Sequence, residues 1–364
     1  METRIYNEEN IKILDKNKQA MKAWVFRDVG RIDFCELPIP RVTEPDDVLI
    51  KVSAVGICGS DIKILEGKHH FKENTVLGHE FCGTVTEIGS HVTHFKVGDR
   101  VAVDNNIRCG FCSFCRMGLT SQCVEIKYNA IGVMRNGGYA EYCLVPEKQC
   151  FSLPDGIDDI LGTQVETLAT VVNGMNTLLM LPYDYVLILG FGPIGYLFAQ
   201  FARNIAAKVA VTEIDPFRIE VARQCGLTVW NPHEEDIEAK ITEFTYGHKA
   251  DIVVEATGNA LEQALKCVTP GGKVLPFGMD SSIQATVVPN EITRWATKIL
   301  GLYLGQNTMV PAIRIYQEKR LNMEPFFTKI IPLEDGMKAF DDLGLDLKTL
   351  THHPKSAMKI VMKM

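Results

Sequence analysis

Val186-Leu-Ile-Leu-Gly190-Phe-Gly192-Pro-Ile-Gly195-Tyr-Leu-Phe-Ala-Gln-Phe-Ala-Arg-Asn204 is the stretch from which the fold can be read. A continuous apolar run, as expected of a parallel strand buried on both faces, enters a turn with three glycines and leaves as a helical pattern. The spacing is GxGxxG in its required setting of strand, turn and helix start. The three glycines allow, in order, a tight turn, close approach of backbone to a pyrophosphate, and close helix-to-strand packing, while the helix N-terminus attracts the phosphate charge. Gly190, Gly192, Pro193, Ile194 and Gly195 are therefore candidate cofactor-binding residues.

A second run, KVAVTEID, ends with Glu213, eighteen residues after Gly195. A carboxylate there can accept hydrogen bonds from both adenosine ribose hydroxyls and would repel a 2′-phosphate, so NAD is expected in preference to NADP. Arg218 follows shortly and offers a guanidinium that could receive a phosphate, which keeps NADP open. The duller reading is a glycine turn in some other α/β sheet, and the strand, helix and acid together weigh against it.

Further strands are expected at Leu227 to Trp230, Asp251 to Glu255, Lys273 to Phe277 and Ile299 to Leu304. With Val186 to Gly190 and Lys208 to Glu213, six strands joined by crossovers make a doubly wound parallel sheet. Phe277, Gly278 and Met279 end the fifth strand and are expected to line a nicotinamide.

Between Met21 and Glu147 the pattern is different. MKAWVF, DVLIKVSAVGIC, FCGTVTEIG, VGDRVAVD and GGYAEYCLVP are short β runs separated by Gly, Pro and Asp, which suggests a small antiparallel barrel or sandwich. The tail from Gly305 is too short for a third domain and is expected to return to the first. That assigns 1–170 and 305–364 to a discontinuous first domain, with 1–20 as an extension, and 171–304 to the dinucleotide domain.

The size and composition agree with two α/β-type domains: 364 residues, 46% hydrophobic, 23% charged, 29 glycines. A formal charge of −7 gives no basic footprint for nucleic acid or an anionic bilayer, so small molecules are the expected partners. The apolar stretch from Tyr185 to Ala202 is broken by glycines and a proline and does not suit a membrane span. The polar opening has no apolar signal region, and a cytoplasmic location is expected.

Eleven cysteines without an export signal are not expected to form disulfides. Cys109, Cys112, Cys115 and Cys123 fall within fifteen residues as Cys-x2-Cys-x2-Cys-x7-Cys, and four thiolates can close a tetrahedral site around zinc. An iron–sulfur cluster is the alternative, but the usual continuation to x3-Cys-Pro is missing. Cys58 in GICGSD and His79 in GHE, twenty-one residues apart, are good zinc ligands but too few. Glu166, in QVETLAT, is the leading candidate for a third, leaving one position open for substrate or water.

The order GICGSD, GHE, four-cysteine loop, GGYAEY, Glu166 and GFGPIG resembles the zinc-dependent medium-chain dehydrogenases, and within them the sorbitol, threonine and polyol dehydrogenase branch. The likeness runs from Met21 to the C-terminus. It implies a GroES-like catalytic barrel joined to the Rossmann domain, a catalytic zinc on Cys58, His79 and Glu166, and a structural zinc on the four clustered cysteines. It further implies that Glu80 lies behind the metal, able to exchange with another ligand, that Asp61 orients His79, and that Ser60 relays a proton. Two departures stand out. Glu166 is followed by Thr167 where relatives carry proline, and Lys63 stands where many have a histidine that continues the relay.

The implied reaction moves a hydride from a secondary hydroxyl of a polyol, sugar derivative or related alcohol to NAD, leaving a ketone, in a homodimer or homotetramer joined near Ile299 to Leu304. An NADP-linked aldehyde or ketone reductase and a zinc-stabilised nucleotide-binding protein without turnover are the alternatives.

Overall fold

A computed structural model describes residues 19–364. The extension expected at 1–20 lies, as far as residue 18, outside the described residues.

The strand Tyr185–Leu189 occupies the middle of a six-stranded, wholly parallel sheet. On one side stand Lys208–Thr212 and then Thr228–Trp230; on the other, Ala250–Glu255, Val268–Pro276 and Lys298–Ile299. The order reverses beside Tyr185–Leu189, which opens a crevice at the carboxyl ends of the strands. Alternate residues of this strand feed two cores, as a period of two requires. Val186 and Ile188 join Phe198, Leu275 and the helix Val165–Leu178, while Leu187 and Leu189 join Trp230 and Ile241 on the far face.

The sixth strand is shorter than the expected Ile299 to Leu304: only Lys298 and Ile299 pair, with Lys273 and Val274. The chain turns away because Leu304 adopts φ 55°, and the Asn173 amide draws its carbonyl toward the helix Val165–Leu178 with a 2.7 Å bond.

The other lobe is mainly antiparallel. Asp47–Gly56 is its central strand, paired with Glu80–Ile88, Tyr142–Pro146 and, from the far end of the chain, Lys359–Lys363. Phe327–Pro332 lies parallel to that last strand. The tail thus returns to the first sheet, and Val361 stands opposite Gly56, two residues before Cys58.

Candidate metal and dinucleotide site

Cys58 caps the helix Gly59–Leu65, and Asp61 is its third residue. Asp61 is fully buried; its Oδ2 accepts the Cys58 amide at 2.9 Å and the Tyr139 hydroxyl at 2.8 Å, while its Oδ1 faces His79 Nδ1 at 3.5 Å. One carboxylate therefore bonds the helix end and the tyrosine and faces the imidazole without a hydrogen bond to it, the side on which a carboxylate orients a metal-binding histidine. Burial works against a charged imidazole, but Asp61 and Cys58 outweigh it and keep the His79 pKa well above the usual value. His79 Nε2 lies 3.3 Å from Ser60 Oγ.

Donor atoms of Cys58, His79 and Glu80 all fall within 4.8 Å of one another. This thiol, imidazole and carboxylate set suits zinc. Glu166 stands outside that tight set. It sits in the first turn of Val165–Leu178 and lines a small cavity with Asp104, Asn106, Asn307 and Thr308. Burial pushes its carboxyl up to about 7, with His79 opposing and Glu80 and Asp104 reinforcing. Glu80 is held from behind: Thr167 Oγ1 donates at 2.7 Å, Gln164 Nε2 at 3.2 Å, and the Lys359 ammonium makes a buried ion pair. Thr167, the residue after Glu166, thus supplies a hydroxyl to Glu80.

The sequence gives no role to Tyr139, Gln164, Thr167 or Lys359. Tyr139 lies inside the quoted GGYAEY, but Lys359 is 279 residues from its partner, and no local pattern signals that meeting.

The four sulfurs of Cys109, Cys112, Cys115 and Cys123 also lie within 4.8 Å of one another. Amides point at them: Phe111 and Cys112 donate to Cys109 Sγ at 3.4 and 3.3 Å, and Cys109 donates to Cys123 Sγ at 3.2 Å. Burial opposes a charged Cys123 thiol, but the amides of Cys109 and Glu125 outweigh it and hold its pKa below the usual thiol value, toward the charged form that a metal needs.

At the nucleotide end, Gly190 has φ 92°, a left-handed conformation that side chains resist, and a Cβ on Gly195 would collide with the Gly190 carbonyl. Gly192 caps the helix Pro193–Ile205 with no side chain over its amides, and Ile194 is partly exposed in the first turn. The Glu213 carboxylate accepts the amides of Phe191 (2.9 Å), Ile214 (2.8 Å) and Asp215 (3.0 Å), bracing the turn. A Cβ on Gly192 would stand 3.2 Å from Arg218 Nη1, and Arg218 Nε is buried without a partner. Such a cradle, with bare helix amides and an unsatisfied guanidinium, fits a dinucleotide phosphate and ribose.

Phe277 packs its ring edge-on against Phe198, and Gly278 is wedged against the Gly258 backbone. Met279 is exposed, and its carbonyl receives the Lys63 ammonium from the opposite lobe. Among the described residues, no helix is long and apolar enough to cross a membrane.

A parallel six-stranded nucleotide fold beside a thiol–imidazole–carboxylate cluster defines a two-lobed, metal-dependent nucleotide enzyme class. Comparison with known proteins narrows it. Residues 44–155 match the alcohol dehydrogenase GroES-like domain, and residues 193–318 match the zinc-binding dehydrogenase family. Sorbitol dehydrogenase of Bacillus subtilis is 30% identical over 331 residues, covering 89% of this chain and 93% of the relative. Two crystal structures superpose with TM-scores of 0.86. One is described as a zinc-binding dehydrogenase from Sinorhizobium meliloti bound to NADP, at 29% identity over 95% of this chain and all of that one. The other, an Escherichia coli alcohol dehydrogenase complexed with NADH, shares 25% identity over 95% and 99%. The chain belongs to the zinc-dependent medium-chain dehydrogenases, oxidoreductases that act on CH–OH donors.

Proposed function

We propose that the chain oxidises a secondary hydroxyl of a polyol, sugar derivative or related small alcohol to a ketone, with NAD as acceptor. The observation that carries this reading is the convergence of Cys58, His79 and Glu80 within 4.8 Å. Likeness to sorbitol dehydrogenase supports the polyol class. Cys58 and His79 would hold a catalytic zinc with a carboxylate, Glu80 in the compact set or Glu166 beside it, and the four clustered cysteines a structural zinc.

Bound zinc would supply Lewis acidity to the substrate oxygen and the nicotinamide would accept the hydride. The protein's own part is positioning and proton movement. Asp61, itself held by Tyr139, would orient the His79 ring, and Lys359, Thr167 and Gln164 hold Glu80. The Ser60 hydroxyl, which can donate and accept at once, is placed to take the alcohol proton toward water.

The Glu213 carboxylate favours NAD over NADP, since it would repel a 2′-phosphate. Arg218, with Nε unpaired, is the observation that favours the NADP-linked reductase as a second reading. We further assign, among the described residues, 19–170 and 305–364 to the catalytic domain and 171–304 to the nucleotide domain, in a cytoplasmic homodimer or homotetramer joined near the edge strand Lys298–Ile299.

A metal count per chain, alongside NAD and NADP reduction over a polyol and sugar panel, tests this reading. Two zincs, chelator-sensitive turnover of a polyol and better saturation by NAD are expected. Full turnover by metal-free protein would end the reading.

A further inference from the structure

Lys63 stands in the last turn of the helix Gly59–Leu65, which begins at Cys58. Its ammonium crosses the crevice, donates to the Met279 carbonyl, 216 residues away, and lies 4.0 Å from the Asp280 carboxylate. Asp280 is itself fixed by Ser282, whose amide and hydroxyl donate to its Oδ1 at 3.0 and 2.6 Å. The receiving segment, Phe277 to Asp280, follows the fifth strand at the carboxyl edge of the sheet, where a nucleotide ligand of such a fold lies. Gly278, wedged against Gly258, holds that segment to its neighbouring loop.

An ammonium has three donors and no acceptor. With its ammonium directed at a carbonyl and a carboxylate across the crevice, Lys63 has no acceptor with which to take a proton from Ser60. We propose that Lys63 is a positioning residue, a tie between the metal-bearing helix and the Met279–Asp280 loop that fixes the nicotinamide side of the crevice. The proposal rests on the dehydrogenase reading. It moves the proton exit from Lys63 to water at Ser60.

The experiment measures NADH and NADPH binding by fluorescence titration, with the pH profile of kcat in parallel, on zinc-loaded wild type, Lys63→Met, Lys63→Arg and Asp280→Ala. Loss of the tie should weaken binding of the preferred cofactor about tenfold in Lys63→Met, the scale of one charge-assisted hydrogen bond. The shape of the pH profile should not change. Lys63→Arg should bind within about twofold of wild type, because a guanidinium also donates to a carbonyl and pairs with a carboxylate. Asp280→Ala should weaken binding in the same direction and add little to Lys63→Met. Wild-type affinity in Lys63→Met would overturn the tie. So would a shifted pH profile with intact binding in Lys63→Arg, which is the signature of a relay. A wild-type chain that binds neither cofactor would overturn the dehydrogenase reading itself, and the tie with it.

Discussion

Lys359, in the last strand, makes an ion pair with Glu80, next to His79, and both side chains are about 1–2% exposed. The carboxylate behind the candidate metal is thus balanced by a cation from the far end of the chain. Burying two charges costs solvation that their attraction only partly offsets, and removing one partner strands the other. Lys359→Met should therefore destabilise the protein by about 3–5 kcal/mol. Glu80→Gln in the same chain should restore part of that. Denaturant unfolding measures both, and a single variant as stable as wild type would mean that the pair is not intact in solution.

Asp61 bonds two groups and faces a third, so the effects of its neighbours should be graded. Asp61→Asn removes charge from the His79 partner and should lower metal affinity or turnover about 10- to 100-fold. Tyr139→Phe removes only one donor to Asp61 and should cost less on both counts. Zinc retention during dialysis against a graded chelator series distinguishes them; equal loss in both would place the tyrosine, not the carboxylate, at the centre.

What the sequence made legible was local. The GxGxxG turn and the four-cysteine loop are each confined to a short run of chain, so their spacing could be read, and crossover connections implied parallel strands around Tyr185–Leu189, whose order only the structure supplies. Glu80's surroundings were not legible, because Gln164, Thr167 and Lys359 reach it over 84, 87 and 279 residues. Lys63 could be flagged as a departure from a histidine, but its partner at Met279 is set by how the lobes close. The sixth strand was overread for the same reason: Leu300 and Leu302 look like strand residues, yet they pack against the core that holds Val165–Leu178.

Thiol chemistry should separate the cysteines into two groups. Burial pushes the thiols of Cys82 and Cys143 far up, so they should resist alkylation whether or not metal is present. Cys109, Cys112 and Cys115 are only half-buried, on a lobe with exposed Phe111 and Met117, and Cys123 is buried behind them, so a bound ion would add the shielding that the first three lack. Iodoacetamide labelling read by mass spectrometry should modify them after chelation and spare them before it. Labelling without regard to chelator would mean that these four sulfurs hold no structural metal.

Gly195→Ala probes the turn. Its new Cβ would collide with the Gly190 carbonyl, so helix and strand must move apart, at about 1–3 kcal/mol by analogy with overpacked cores. Dinucleotide affinity should fall with stability while zinc content is kept, since the proposed ligands Cys58, His79 and Glu80 lie in the other lobe. Coupled loss of zinc and nucleotide would mean that the lobes do not behave independently.

Cofactor choice should turn on Glu213, but not on its charge alone. Because its oxygens accept three backbone amides, Glu213→Ala removes the brace of the Phe191 turn together with the proposed ribose acceptor. NAD should therefore saturate less well, and its advantage over NADP should narrow as the repulsion of a 2′-phosphate disappears. Arg218→Met should act oppositely on NADP, since the guanidinium, with a buried unpaired Nε, is the group near the turn best able to receive that phosphate. Comparing kcat/KM for both cofactors in the two variants decides the matter: an unchanged ratio in Glu213→Ala would transfer the ribose role to another residue, and an NADP rate untouched by Arg218→Met would remove the guanidinium from cofactor recognition.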